Sequence, residues 1–225
     1  MSGRSPRWIQ KISRGTPIGD LEVGTTVKIN VNSTQREFLV VHQGLPSSMY
    51  DESCNGTWLL MKDIYERRQW NNRKSNYYRN STISQYLNET FLGLFNLDIQ
   101  EVIQQVKIPL SDGTGANGLS CKIFLLSGYE VGFTTSTTPS LPQDGAKLSY
   151  FELGTGTSAN NKRIAKLNGS AASWWLRSPY TGGNDVWYVI NSGNAGSYYA
   201  TSSYGVRPAL ILPASTLVSD DMLIA

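Results

Sequence analysis

The chain has 225 residues, a formal net charge of +3 and two cysteines, with 40% hydrophobic and 16% charged residues. A chain of this length buries roughly 70% of the surface that its unfolded form exposes, so one large domain or two small ones can fold without disulfides. The small positive surplus is spread along the chain, which disfavours nucleic acid as a partner. No run of about 18 apolar residues occurs and no apolar segment follows Met1, so the sequence predicts neither a membrane span nor an obvious export signal.

Residues 1–17 are predicted to form a flexible basic arm. Arg4, Arg7, Lys11 and Arg14 stand there among Ser, Gly and Pro, a composition that buries little surface. An attachment segment and a frayed terminus explain this composition equally well. We expect the folded domain to span residues 18–225.

Short apolar runs broken by turn residues begin at Ile18 and predict β-strands. Val27, Ile29 and Val31 alternate with polar residues, whereas residues 38–41 form a continuous apolar run that is typical of a buried strand. A third strand is predicted within the sequence TWLLMKDIY.

Two helices are predicted next, with Ser81 and Asp98 as their N-caps. The apolar residues at helical spacing behind these caps, which we expect in the core, are Ile83, Tyr86, Leu87 and Leu94 in the first helix and Ile99, Val102, Ile103 and Val106 in the second.

The remaining elements are predicted to be short. A Gly/Ser/Asn loop covers residues 111–120, a strand follows in CKIFLLS, and a third helix is expected from Asn160 to Leu167. From Ser173 onward, turn residues every few positions predict short strands with long loops, including VWYVI and VRPALIL. The fold class is therefore α+β, with short antiparallel strands, a few helices and long loops.

Residues that could carry catalysis are sparse. The single histidine, His42, lies in an apolar strand, and no Ser-His or Cys-His relay has a recognisable signature. Cys54 and Cys121 lack the paired spacing of a zinc site, and only four carboxylates occur in the last third of the chain. We therefore expect no catalytic residue, no metal and no cofactor.

Residues 178–206 combine Tyr, Ser, Gly and Asn in proportions that antibody binding loops favour. Tyrosine provides a large contact area at a low entropic cost, and the small polar residues adapt to a partner. A tyrosine-decorated sheet edge without any partner would have the same composition.

Two motifs flank this span, SWWLRSP at residues 173–179 and YGVRPAL at residues 204–210. With the upstream segments WLLMKDIYERRQW, YLNETF, QVKIPL and CKIFLLSGYEVGF, they resemble a bacterial and phage family with a formylglycine-generating-enzyme-like form of the C-type lectin fold. Members of this kind look like the variable proteins of diversity-generating retroelements, in which error-prone reverse transcription at adenines rewrites the 3′ end of the gene. The resemblance covers the chain from about Gly19 onward and implies a C-type lectin-like domain.

The residue types within the span provide an independent observation. Changing both adenines of an AAC codon yields any NNC codon, and no NNC codon encodes Lys, Glu, Gln, Met or Trp. Residues 178–206 contain no Lys, Glu, Gln or Met. Trp187 is the exception, so we expect it to be an unvaried residue that faces inward with Val189, leaving Tyr188 and Ile190 on the outer face.

The predicted ligand-binding residues form one continuous surface in this interpretation. They are Tyr180, Gly182, Asn184, Asp185, Tyr188, Ile190, Asn191, Ser192, Asn194, Ser197, Tyr198, Tyr199 and Tyr204. The predicted scaffold residues that hold this surface are Trp174, Trp175, Arg177, Trp187 and Arg207.

The resemblance implies a non-enzymatic phage structural or receptor-binding protein whose C-terminal surface binds a bacterial cell-surface protein or glycan. The N-terminal region would attach it to other virion proteins, and we expect a homo-oligomer such as a trimer. We expect neither nucleic-acid binding nor membrane insertion. It would be made in the bacterial cytoplasm and reside in the virion, or alternatively at the bacterial cell surface. Two alternatives stay open: an undiversified carbohydrate-binding lectin domain, and an enzyme of the formylglycine-generating type, which would need reactive cysteines.

Overall fold

The computed structural model describes residues 15–111 and 118–224. The strands, in chain order, are β1 (Thr16–Pro17), β2 (Thr26–Val31), β3 (Thr34–Gly44), β4 (Gly56–Met61), β5 (Glu66–Gln69), β6 (Val106–Ile108), β7 (Leu119–Cys121), β8 (Ala165–Leu167), β9 (Ser170–Ala172), β10 (Trp174–Pro179), β11 (Asp185–Val189), β12 (Ala195–Tyr199), β13 (Ser203–Val206), β14 (Ala209–Leu212), β15 (Leu217–Val218) and β16 (Leu223–Ile224). The α-helices are α1 (Thr82–Tyr86), α2 (Leu97–Val102) and α3 (Thr157–Arg163). This mixture of sheets and a few short helices confirms the predicted α+β class.

The first of two larger sheets has the strand order β14-β4-β3-β2-β16. Every residue of β4 is buried, because its apolar side chains pack against neighbours on both faces. In β2, Val27, Ile29 and Val31 are buried while the residues between them are half-buried, so the predicted alternation is confirmed. The predicted apolar run of β3, residues 38–41, is also buried.

The second sheet has the order β12-β11-β10-β13-β5. Strand β10 carries the WWLRSP motif and pairs in parallel with β13, with Trp174 beside Gly205. On its other side β10 pairs antiparallel with β11. The β11–β12 hairpin forms the edge of this sheet, so the residues between the two motifs lie at its periphery.

The first predicted helix cap is confirmed and the second is wrong. Ser81 Oγ accepts a hydrogen bond from the Ser84 N–H at 3.2 Å, which caps α1. Helix α2 begins two residues earlier than predicted, so Asn96 occupies the cap position and Asp98 lies in the first turn. Val102 is 37% exposed rather than in the core, because its face of this short helix is turned to solvent.

Two other predicted elements need correction. The strand predicted in CKIFLLS ends at Cys121 in β7; the apolar residues after it are buried without forming a strand, apart from a bridge between Phe124 and Ala209. The third helix ends at Arg163. The residues after it turn back as the β8–β9 hairpin, because Asn168 and Gly169 adopt the positive φ angles of a tight hairpin turn.

The folded part begins before the predicted boundary. Thr16 and Pro17, which we assigned to the arm, form β1 and pair with β15. The rest of that arm up to residue 14, and residues 112–117 of the predicted loop, lie outside the described residues. None of the described helices has both the length and the apolar character needed to span a bilayer.

Candidate ligand-binding surface

Four aromatic side chains meet on one face of the second sheet. Tyr188 and Tyr204 stack with ring centroids 4.4 Å apart and an interplanar angle of 18°. The Trp175 ring meets Tyr204 edge-on at 4.8 Å and Tyr188 at 5.9 Å, and Tyr198 lies 6.3 Å from Tyr204. We call these four residues the aromatic cluster. Tyr204 is half-buried in this cluster, between the fully buried Trp175 and the exposed Tyr198.

The structure confirms the alternation predicted for the VWYVI strand over residues 187–190. Trp187 is 8% exposed and Val189 is fully buried, whereas Tyr188 and Ile190 are half-buried. Val186 is fully buried although it shares a face with Tyr188, so that face is open only along part of its length. The outer face of β11 is therefore smaller than simple alternation predicts.

Burial separates the predicted binding residues from the predicted scaffold. Each of the thirteen predicted binding residues reaches the surface. The exposed members are Gly182, Asn184, Asn191, Ser192, Tyr198 and Tyr199, and the half-buried members are Tyr180, Asp185, Tyr188, Ile190, Asn194, Ser197 and Tyr204. The buried scaffold residues are Trp174, Trp175, Arg177, Trp187 and Arg207.

The structure distributes the predicted residues other than Tyr204 along the β11–β12 hairpin, with one loop at each of its ends. In the β11–β12 hairpin Asp185 pairs with Tyr199 at one end, and Val189 pairs with Ala195 at the other. The two ends are about 13 Å apart for strands of this length. The 180–185 loop thus lies with Tyr198 and Tyr199, whereas the 190–194 turn lies at the opposite end.

The 180–185 loop is held by residues that sequence reasoning missed. Asn76 Nδ2 donates to the carbonyl oxygens of Tyr180, Gly183 and Asp185 at 3.2, 2.9 and 3.0 Å. The Ser140 carbonyl accepts from the Thr181 N–H at 3.0 Å. These bonds go to backbone atoms of the loop, so they persist when its side chains change.

The Ser140 carbonyl also accepts from Trp187 Nε1 at 3.3 Å. The Trp187 ring packs against Tyr180, with centroids 5.5 Å apart. Trp187 therefore connects the hairpin to the loop beneath it, which agrees with an unvaried role.

The opposite turn is held by one hydrogen bond to its backbone and one to the side chain of Asn194. Arg163 Nε donates to the Gly193 carbonyl at 2.8 Å, and Asn160 Nδ2 donates to Asn194 Oδ1 at 3.0 Å. Gly193 has a φ of 84°, and a Cβ atom there would overlap the Asn160 carbonyl. Glycine is therefore required at position 193 although it lies within the proposed variable span.

Arg177 of the WWLRSP motif fixes the start of the span through a buried ion pair. Its two terminal nitrogens donate to Glu130 at 2.6 Å each, and one of them also donates to the Leu125 carbonyl at 2.9 Å. Tyr50 donates to the same carboxylate at 2.7 Å, so the pair is hydrogen-bonded on several sides. The next residue, Ser178, donates to Asp144 at 3.0 Å.

The two tryptophans of the motif use their ring nitrogens in the same way. Trp174 Nε1 donates to the Arg163 carbonyl and Trp175 Nε1 to the Arg68 carbonyl, both at 2.9 Å. Both rings are fully buried. The motif thus supplies apolar mass together with satisfied polar ends, which a rigid base for a loop surface requires.

The cysteines and the histidine have structural surroundings. Burial raises the pKa of Cys54 to about 11 and that of Cys121 to about 12, so both thiols stay protonated at neutral pH.

His42 Nδ1 lies 2.7 Å from Ser149 Oγ and accepts from the Ser149 N–H at 3.2 Å, a contact that the sequence did not predict. Nε2 therefore carries the ring proton, and it has no partner within the described residues. Those same residues hold no group of His, Cys, Asp or Glu that could bind a metal ion.

The comparisons with known proteins give one match. Comparison with curated proteins and with solved structures finds none. Residues 55–214 match a family described as "Domain of unknown function (DUF6273)", and this region runs from β4 through the aromatic cluster to β14. The match covers more than half of the chain, so the chain belongs to the DUF6273 family.

Proposed function

We propose that this protein is a non-enzymatic ligand-binding protein with a C-type lectin fold of the formylglycine-generating-enzyme-like kind, whose surface between Tyr180 and Tyr204 is diversified by a retroelement. In this proposal it is a phage structural or receptor-binding protein that binds a bacterial cell-surface protein or glycan. One observation carries the proposal: residues outside the span form hydrogen bonds to its backbone. Asn76, Ser140 and Arg163, all outside it, bind its backbone, while its predicted binding side chains reach solvent.

This arrangement suits a surface that tolerates many sequences. A loop keeps its shape under substitution when its hydrogen bonds involve carbonyl and N–H groups, because every residue except proline supplies both. Aromatic side chains then act as anchors, and Ser, Asn and Gly adapt to the partner. Tyr198 and Tyr199 are 46% and 56% exposed, which is high for residues of this size and supports a contact role.

The burial of the cysteines argues against a formylglycine-generating enzyme. Such an enzyme needs reactive thiolates, whereas Cys54 and Cys121 are buried with raised pKa values.

Diversification is tested by sequencing this gene across a bacterial or phage population. We expect amino-acid changes to concentrate between Tyr180 and Tyr204, with Arg177, Trp187 and Arg207 constant. Gly193 should also be constant, because no other residue fits its turn. Substitutions spread evenly through residues 20–170 would falsify diversification.

Binding is tested by attachment of the purified, fluorescently labelled protein to a panel of intact bacterial strains. For strains that bind it, replacing Tyr188, Tyr198 and Tyr199 together by Ala should abolish attachment without unfolding the protein, and a chelator should have no effect. The matched control is Tyr77→Ala, which removes a tyrosine that is 60% exposed outside the span. Attachment that survives the triple substitution would place the ligand site elsewhere on the chain.

A further inference from the structure

A second depression lies away from the aromatic cluster and has a different chemistry. It is a groove of about 560 Å³, within the size range of small-molecule sites. Its walls come from β3, the loop after β4, and the α3–β8 region. The residues that line it are Glu37, Leu39, Lys62, Asp63, Tyr150, Asn161, Lys162, Ile164, Lys166 and Arg207.

Arg207 is the buried member of this lining, with 1% of its surface exposed. Its Nε and one Nη donate to the carbonyl oxygens of Met61 and Lys62 at 2.9 and 3.0 Å. The other terminal nitrogen, Nη1, has no hydrogen-bond partner, and within residues 15–111 and 118–224 no carboxylate forms an ion pair with this guanidinium. A buried guanidinium without an anion is costly, whereas Arg177 in the same fold has Glu130.

The guanidinium keeps its charge despite this burial. Burial lowers the pKa of Arg207 to about 10, which leaves it protonated at neutral pH. Its carbon Cζ lies 4.8 Å from the centroid of the Trp174 ring, a contact that also favours the charged form.

The lining of the groove carries more positive than negative charge. Lys62, Lys162 and Lys166 at the rim and Arg207 at the base stand against two carboxylates, Glu37 and Asp63. Lys162 Nζ also lies 3.8 Å from Glu152 Oε1, outside the lining. Both carboxylates already have partners: Glu37 lies 2.9 Å from Lys62 Nζ, and Asp63 accepts from the Lys166 N–H at 3.2 Å. Lys166 Nζ is exposed and has no partner in the part of the chain that the structure describes.

We propose that this groove binds the carboxylate or phosphate group of an anionic ligand, with Arg207 at its base and Lys162 and Lys166 at its rim. Guanidinium groups pair with the planar or tetrahedral oxygens of such anions, and flexible lysines add charge. Leu39, Ile164 and Tyr150 provide apolar wall for the body of the ligand. The lining lies outside the proposed variable span, so this site stays constant when that span changes.

The test is a titration of the full chain at constant ionic strength, with inorganic phosphate in one arm and glucuronate, a sugar carboxylate, in the other. Saturable shifts in the NMR spectrum, including the Nε–Hε signal of Arg207, are expected with at least one probe. The arm that saturates tells a phosphate ligand from a carboxylate ligand. Replacing Lys162 and Lys166 together by Gln should weaken binding about tenfold, because two nearby positive charges are lost.

The matched control is the double variant Arg73→Gln, Lys74→Gln, which removes the same charge from exposed positions outside the groove. It should bind as the parent protein does, and both variants should melt as the parent does. If the two double variants weaken binding equally, net charge alone explains the effect, and the proposal is overturned. A lack of saturation with both probes at about 50 mM, near the weak limit for a single-group site, would overturn it as well.

Discussion

The ring of Tyr188 lies across the backbone of Gly196 on the neighbouring strand. The two residues are direct cross-strand partners, and a Cβ atom at Gly196 would lie 2.7 Å from Tyr188 Cζ. The absence of a side chain at position 196 thus lets the Tyr188 ring lie flat on the sheet, where it stacks on Tyr204.

Gly196→Ala should therefore move Tyr188 at a small cost in stability. The added methyl meets the far end of a side chain that can rotate away, so we expect the free energy of unfolding to fall by about 1 kcal/mol or less. Attachment to a bacterial strain that the parent protein binds should weaken far more than the loss of stability explains, because the aromatic cluster is displaced. Chemical denaturation and a cell-binding assay on the same preparation measure the two effects. Equal losses in Gly196→Ala and in a buried-core variant would point to general destabilisation instead.

Tyr198, Tyr199 and Trp175 should differ sharply in their contributions to stability. Tyr198→Ala or Tyr199→Ala should change the free energy of unfolding by less than about 0.5 kcal/mol, since both rings are largely exposed. Trp175→Ala should cost about 3 to 5 kcal/mol, because the ring is fully buried. Urea denaturation compares them directly. Similar costs for all three variants would show that the tyrosines belong to the core.

Asn76→Ala should loosen the 180–185 loop without unfolding the domain. The variant removes the donor that three loop carbonyls share, so we expect faster amide hydrogen exchange in that loop and at Trp187. The 190–194 turn, held by Arg163, should keep its exchange rates. Asn72→Ala, at an exposed position nearby, serves as the control. Unchanged exchange in the 180–185 loop would remove Asn76 from the set of anchoring residues.

Asp144 should make stability depend on pH. Burial raises its pKa from 3.8 to about 6, with Arg177 opposing the shift and Glu130 adding to it. A carboxyl group whose pKa is higher in the folded state stabilises that state below pH 3.8, and this contribution is lost as the pH rises through about 6. The loss between pH 4 and pH 7 amounts to about 2 kcal/mol.

The measurement is the difference in unfolding free energy between the parent and Asp144→Asn at several pH values. The asparagine stays neutral and can still accept from Ser178, so the parent should lose stability relative to the variant as the pH rises from 4 to 7. Burial also lowers the pKa of His42, so His42 adds its own pH dependence. This contribution is the same in both proteins, and the difference between them removes it. A difference that does not change with pH would mean that Asp144 titrates normally.

Local patterns predicted those parts of the fold in which one short segment determines its own structure. Residues only a few positions away determine three such features: the alternation in β2, the Ser81 cap and the inward orientation of Trp187. The helix expected from Asn160 to Leu167 is confirmed only up to Arg163. Its second half forms β8, although Asn168-Gly169 is a strong local signal for a hairpin turn there.

The residues that hold the loops were beyond local prediction. Asn76 lies more than one hundred residues from the carbonyl groups that it binds, and Glu130 lies 47 residues from Arg177. No periodicity points to either residue, because a single long-range hydrogen bond leaves no pattern in its neighbours. Glu130 lies in the segment CKIFLLSGYEVGF, but that segment does not indicate which residue it pairs with. Only the folded chain brings these groups together.

The direct pairing of β10 with β13 also bears on the length of the segment between them. The two motif-bearing strands lie side by side, and the β11–β12 hairpin is the outermost pair of the sheet. Lengthening or shortening that hairpin by whole residue pairs would keep the alternation of its faces and displace no other strand, but it would move the 190–194 turn away from Arg163 and Asn160. The anchors of the turn therefore fix the length of this segment, so variation within it should replace residues and leave their number unchanged.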